Sequence, residues 1–325
     1  MPRRTNAPTN RPKRRSSSAA RRNPAAKKRA PEATPDVPQY LERLGIAPRK
    51  ALGQHYLADE MLLADIAAAC GVHEDDTVLE IGAGPGGLTE ELAKTGATVV
   101  AVEIDEELAG STRARLAAYA NLSVLAADVM DFEPEELLDE AGATLGGVAP
   151  PYVAVGNLPY YITQPIVRRL LEADPGPERI VVLVQREVAQ RMVGGPGHES
   201  LLSLSVQVYG AARMLFDVPA TAFWPPPKVQ SAVIEITRLP RRAVNLPPDE
   251  LESFFHLLRA GFAQPRKQIH NVFPEELGIP PEQFAETLEA AGLDPVARAQ
   301  HLSLADWEHL YRAVVARHPG ALDVK

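Results

Sequence analysis

Glu80-Ile81-Gly82-Ala83-Gly84-Pro85-Gly86-Gly87-Leu88-Thr89 decides the fold. The apolar run 77–81 reads as a strand, and the pattern over 87–95 reads as a helix. Glycines at such a junction let the backbone approach a ligand closely while the chain turns from strand to helix. Gly82, Gly84 and Gly87 satisfy the G-x-G-x-x-G spacing of dinucleotide sites, a weak signal alone. Two details favour S-adenosylmethionine over NAD. Glu80 places an acid on the strand just before the loop, and Pro85 removes an N–H that a pyrophosphate would use.

Working outward, strand-like runs at 97–103, 122–127, 152–156 and 179–184 alternate with helical patterns at 105–118, 134–140, 163–172 and 186–192. That alternation predicts an α/β fold, a mostly parallel Rossmann-like sheet with helices on both faces. Residues 200–209 and 229–237 read as late strands, antiparallel to the rest. Upstream, a short helix is expected from Val37 to about Ala47, then a loop over 48–58. Asp59 caps a further helix that runs to about Cys70 and stops at Gly71. Downstream, Pro-rich segments at 225–227 and 239–248 mark a boundary, and helical patterns follow at 248–262, 281–291 and 303–316. The expected organisation is a disordered basic tail (1–37), an α/β domain (38–240) and a small helical domain (241–325).

The strand ends carry chemistry. Val102-Glu103-Ile104-Asp105 puts a carboxylate 21 residues beyond Gly82, placed to accept the two hydroxyls of a ribose. Asp128, after the third strand, is placed to accept from an adenine amino group. Each acid alone reads equally as a helix cap or a solvated carboxylate. After the fourth strand come Asn157-Leu158-Pro159-Tyr160. An amide, a backbone carbonyl fixed before a proline and an aromatic ring suit a planar base with an exocyclic amine. The Asn157 oxygen and the Leu158 carbonyl each accept one amine hydrogen while the Tyr160 ring stacks. In an open parallel sheet, all of these strand ends face one ligand crevice.

Composition bounds the rest. The chain has 325 residues, is 45% hydrophobic and has a net charge of −8, enough for about two packed domains. Residues 1–30 hold eleven of the 34 basic residues and no acid, so 23 basic residues face 42 acidic ones over the remainder. The tail suits a loose contact with a phosphate backbone, with a solubilising tail or a transit peptide as the other readings. A lone cysteine, Cys70, excludes an internal disulfide framework and fits a reducing compartment, hence the cytoplasm. No apolar run reaches the length of a membrane helix, and no CxxC or paired-His spacing suggests a metal.

These residues together resemble the rRNA adenine N6,N6-dimethyltransferase family of the KsgA type, over most of residues 48–316. Leu52-Gly53-Gln54-His55-Tyr56-Leu57 is similar to the family's L-G-Q-N-F-L, with His55 and Tyr56 replacing Asn and Phe. The glycine loop, Glu103, Asp128 and Asn157-Leu158-Pro159-Tyr160 follow in family order. Ala222-Phe223-Trp224-Pro225-Pro226-Pro227-Lys228-Val229-Gln230-Ser231-Ala232-Val233 is similar to F-x-P-P-P-K-V-x-S-A-V. Phe262-Ala263-Gln264-Pro265-Arg266-Lys267-Gln268-Ile269-His270-Asn271 looks like F-x-Q-R-R-K-T-I-R-N, with Pro265 and His270 replacing arginines. A weaker match is Arg298 with Leu302-Ser303, and His198-Glu199-Ser200-Leu201 departs from the family's Tyr-Gly pair.

The resemblance implies a class I methyltransferase sheet with S-adenosylmethionine held by His55, Leu57, Gly82, Gly84, Glu103, Asp128 and Asn157. It implies a target base held by Asn157, Leu158, Pro159 and Tyr160, with Phe223 stacked opposite Tyr160, and RNA contacts from Lys228, Arg266 and Lys267. The implied function is dimethylation of two adjacent adenosines in the 3′-terminal hairpin of 16S rRNA, within a pre-30S particle, by a monomer without metal. Three rival functions stay open: a large-subunit (23S) rRNA adenine methylase of the macrolide-resistance kind, an N6-adenine DNA methyltransferase, and a noncatalytic assembly or transcription factor derived from the family.

Overall fold

The alternating pattern assembles into one seven-stranded sheet in the computed structural model, which describes residues 41–42, 54–144 and 146–323. The strands are β1 (Tyr56–Leu57), β2 (Thr77–Ile81), β3 (Thr98–Glu103), β4 (Leu122–Ala126), β5 (Tyr152–Asn157), β6 (Arg179–Gln185), β7 (Gly210–Val218), β8 (Phe223–Trp224) and β9 (Ser231–Arg238). The helices of the sheet region are α1 (Glu60–Cys70), α2 (Gly87–Lys94), α3 (Glu106–Arg115), α4 (Pro134–Glu140), α5 (Thr163–Glu172), α6 (Arg186–Val193) and α7 (Leu201–Tyr209). Four more follow: α8 (Leu251–Phe262), α9 (Ile269–Leu277), α10 (Pro281–Ala290) and α11 (Leu304–Arg317). The basic tail, most of the expected 37–47 helix and Leu52-Gly53 lie outside the described residues.

The sheet order is β4-β3-β2-β5-β6-β9-β7, parallel from β4 to β6 and antiparallel at β9 and β7. Successive residues of the central strands bury on opposite faces. Val78, Val99, Val153 and Val181 pack with Leu63 and Ile66 of α1 and Leu92 of α2. Leu79, Val100, Ala154 and Val182 pack with Leu138 of α4 and Ile166 of α5, in a core that continues into Phe254, Phe273, Phe284 and Trp307 of the last helices. The expected short apolar strands follow from this two-sided burial. The chain order reverses between β2 and β5, which opens a crevice at their carboxyl ends.

The expected strand at 200–209 is a correction: this segment is helix α7. Leu-Ser-Leu-Ser-Val-Gln-Val alternates like a strand, yet Ser200 caps a helix by accepting the Ser203 N–H, and the Ser203 hydroxyl side chain returns to the Ser200 N–H. The helix is covered on several sides, so Leu202, Ser203, Leu204, Val206 and Val208 are all buried. Its serines satisfy themselves locally, Ser205 donating to the Leu201 carbonyl at 2.7 Å and Ser203 to the Glu199 carboxylate at 2.6 Å. The edge strand that pairs with β9 is β7, immediately downstream of α7, while β6 pairs antiparallel with β9 on its other side.

Candidate active site at the carboxyl ends of the strands

One cleft gathers ten of the residues singled out from sequence. His55, Leu57, Gly82, Gly84, Glu103, Asp128, Asn157, Leu158, Pro159 and Tyr160 all line it. They come from β1 and the residue before it, from the loops after β2 and β4, from the end of β3, and from the end of β5 with the turn that follows it. The close approach of β2 to β5 beneath them requires Gly156, because a Cβ there would meet the Ile81 carbonyl at 2.5 Å.

Glu103 is buried and already oriented. One carboxylate oxygen accepts the Gly84 N–H at 2.8 Å and the other accepts the Asp105 N–H at 3.0 Å. Burial raises its pKa, while these two backbone donors favour the charged form. Asp128 accepts the Met130 N–H at 2.9 Å, which fixes its carboxylate at the mouth of β4. Glu80 is 1% exposed, and neither its Oε2 nor the Thr89 hydroxyl has a hydrogen-bond partner. Burial pushes the Glu80 carboxyl up to about 8, the nearby Thr89 hydroxyl offsets part of that, and the charge of Glu103 adds to it. The orphaned Oε2 of Glu80 can accept a further N–H, and a preset carboxylate at Glu103 calls for hydroxyl donors. A ligand with ammonium and sulfonium charges and a ribose meets both demands. The residues present therefore fit S-adenosylmethionine.

The Asn157 end is equally fixed. Its Nδ2 donates to the His55 carbonyl at 3.2 Å, which gives Oδ1 the acceptor role. The Tyr160 hydroxyl bonds the Ser231 hydroxyl at 2.8 Å, and the Tyr160 ring stacks with His55 at 5.9 Å between centroids. His55 Nδ1 donates to the Pro225 carbonyl at 2.7 Å, leaving Nε2 toward other partners. β1 and β8 pair antiparallel, Tyr56 opposite Trp224 and Leu57 opposite Phe223, so segments about 170 residues apart form one wall.

Phe223 is not brought to the cleft. It is 3% exposed and packs among Leu57, Val218 and Val233, so the ring expected opposite Tyr160 is buried in the core instead. An apolar ring at a strand position facing the core gains more from burial than from exposure. Lys228, Arg266 and Lys267 lie outside the cleft and are exposed, Lys267 pairing with Glu275 at 3.4 Å. Ser231, within the segment 222–233, carries no local sequence signal for its contact with Tyr160. Tyr161, likewise unmarked in sequence, is a second ring on the cleft and is 62% exposed.

Comparisons with known proteins give the family. A profile described as ribosomal RNA adenine dimethylase matches residues 46–314. A protein of Dehalococcoides mccartyi named ribosomal RNA small subunit methyltransferase A is 39% identical over 281 residues, covering 86% of this chain and 93% of the relative. One of the same name from Geobacillus thermodenitrificans is 36% identical, covering 85% and 94%. Among solved structures, the 23S rRNA methyltransferase ErmE is 29% identical with a TM-score of 0.61, covering 79% of this chain and 98% of its own. A dimethyladenosine transferase from Plasmodium falciparum is 23% identical with a TM-score of 0.65, covering 81% and 98%, and supports the fold. The chain belongs to the ribosomal RNA adenine dimethylase family, enzymes that take their methyl groups from S-adenosylmethionine.

Proposed function

We propose that this protein dimethylates N6 of two adjacent adenosines in the 3′-terminal hairpin of small-subunit rRNA, acting in the cytoplasm as a monomer on a pre-30S particle. The observation that carries the chemistry is Asn157, whose amide is locked by His55 with its oxygen as the acceptor. The small-subunit target rests on relatives of that name, 36–39% identical over more than four fifths of the chain.

In this reading Glu103 accepts the ribose hydroxyls of the cofactor, Asp128 accepts from its adenine amine, and His55, Leu57, Gly82 and Gly84 complete that half of the cleft. S-adenosylmethionine, when bound, supplies an electrophilic methyl group with a good leaving group. The adenine amine is a poor nucleophile because its lone pair is delocalised into the ring. Asn157 Oδ1 and the Leu158 carbonyl accept its hydrogens, which favours a pyramidal nitrogen and localises the pair. The developing positive charge then meets oxygens already in place; as the N–C bond forms the C–S bond breaks, leaving S-adenosylhomocysteine, and the methylated nitrogen loses its extra proton to solvent before a second transfer. Pro159 stiffens the turn, and Tyr160, anchored by Ser231, offers its ring to the flipped base. Phe223 supports this wall from the core. Lys228, Arg266 and Lys267 contact phosphates, and the Lys267–Glu275 pair, being exposed, yields to a phosphate at little cost. The residues from 241 onward form the RNA-contacting part.

A second reading, methylation of large-subunit rRNA, has the likeness to ErmE in its favour. Incubation with labelled S-adenosylmethionine and an equimolar mixture of unmethylated small and large subunits separates the two. Label confined to small-subunit rRNA is expected; label confined to large-subunit rRNA would move the assignment to the second reading.

A further inference from the structure

The glycine loop that walls the cofactor half of the cleft is held from behind by α3. Thr112 donates its hydroxyl to the Gly84 carbonyl at 2.9 Å. Arg115 donates one nitrogen to the carbonyls of Pro85 and Gly86, both at 2.9 Å, and another to the Glu90 carboxylate at 2.6 Å. Three successive loop carbonyls thus face the helix. Thr112 is 1% exposed, so its hydroxyl meets that carbonyl away from water. Contact is tight as well as polar. Gly86 has φ +78°, and a Cβ there would meet Thr112 Cγ2 at 2.5 Å and Arg115 Nη2 at 2.7 Å. Neither Thr112 nor Arg115 lines the cleft.

We infer that Thr112 and Arg115 are positioning residues for cofactor binding, acting through the glycine loop. The route is short. Gly84 is held at its carbonyl by Thr112 and at its N–H by the Glu103 carboxylate. Freeing the carbonyl lets Gly84 turn, and the acceptor aimed at the ribose loses its brace. Because C=O and N–H of a trans peptide point opposite ways, fixing the Gly86 carbonyl on Arg115 also fixes the Gly87 N–H away from α3, and Gly87 lines the cleft. Arg115 joins the loop to the first turn of α2 through Glu90, so loop and helix start move together.

The inference rests on the cleft taking S-adenosylmethionine. The test is calorimetric binding of S-adenosylhomocysteine to the full chain, together with steady-state kinetics on small subunits. Thr112→Val keeps the shape and removes the donor; Arg115→Met removes the fork; Thr112→Ser and Arg115→Lys restore part of each. Affinity is expected to fall about tenfold in Thr112→Val and more in Arg115→Met, with partial recovery in the conservative variants. The KM for the cofactor should rise in parallel, while kcat and the KM for RNA stay within about threefold. Arg312→Met is the control, since Arg312 ties the Asn245 carbonyl at 2.6 Å outside the cleft lining. Unchanged affinity in both Thr112→Val and Arg115→Met, or an equal loss in Arg312→Met, overturns the inference. Wild-type protein that fails to bind S-adenosylhomocysteine overturns the cofactor reading itself, and the inference with it.

Discussion

The carboxylate of Glu103 accepts the backbone N–H of Gly84 at 2.8 Å, which ties the end of β3 to the loop after β2. The two walls of the cofactor half are therefore one hydrogen-bonded unit, which lowers what binding spends on ordering them.

From that relationship, Glu103→Ala should lose at least tenfold to a hundredfold of S-adenosylhomocysteine affinity, since charge-assisted hydrogen bonds contribute roughly 1.5–3 kcal/mol each. Isothermal calorimetry checks it, and unchanged affinity would refute the ribose role.

Glu80 makes the stability of the ligand-free protein depend on pH. Its carboxyl titrates near 8 when folded, against 4.5 ordinarily, so the folded state holds more protons between those values. Its stabilising contribution is complete below about 4.5, declines as pH rises, and is gone above about 8. Glu80→Gln should flatten that decline and stabilise the ligand-free protein at pH 8 by on the order of 1–3 kcal/mol. Urea unfolding at several pH values measures it; parallel pH profiles for both proteins would contradict it.

Ser231 and Tyr160 should behave as one unit. Ser231→Ala and Tyr160→Phe each lose the bond that steadies the ring, at about 0.5–1.5 kcal/mol. Each should raise the KM for RNA severalfold without touching S-adenosylhomocysteine affinity, and the double variant should be no worse than either single one. Additive losses would show that the bond does not set the ring.

Phe223 separates packing from substrate contact. As a core ring it should cost about 3–5 kcal/mol as Phe223→Ala, measured by thermal or urea unfolding. Phe223→Leu should fold and keep the KM for RNA within about threefold. A stable Phe223→Leu protein that has lost RNA affinity tenfold would return the ring to the target base.

Much of the fold was legible because two-sided burial writes short apolar runs into a sequence, and Thr77–Ile81 and Tyr152–Asn157 are such runs. The acids and Asn157 were legible because parallel strands deliver their carboxyl ends to one crevice. Helix α7 misled because a buried helix has no polar face, so Leu201–Tyr209 kept only its period-two accident. Tyr160–Ser231 and His55–Pro225 were illegible because each bond spans residues 71 and 170 apart and depends on which segments pair. The backing of the glycine loop by Thr112 and Arg115 hid for the same reason, on a helix that reads as an ordinary solvated one.

Asn157 carries the central claim, and nucleoside mass spectrometry of the 3′-terminal hairpin tests it most directly. Unmethylated small subunits treated with the wild-type protein and S-adenosylmethionine should show N6,N6-dimethyladenosine at two adjacent positions. Asn157→Ala, folded and still binding S-adenosylhomocysteine, should show none. Dimethyladenosine at full level with Asn157→Ala, or an unmodified hairpin with the wild-type protein, would contradict the account.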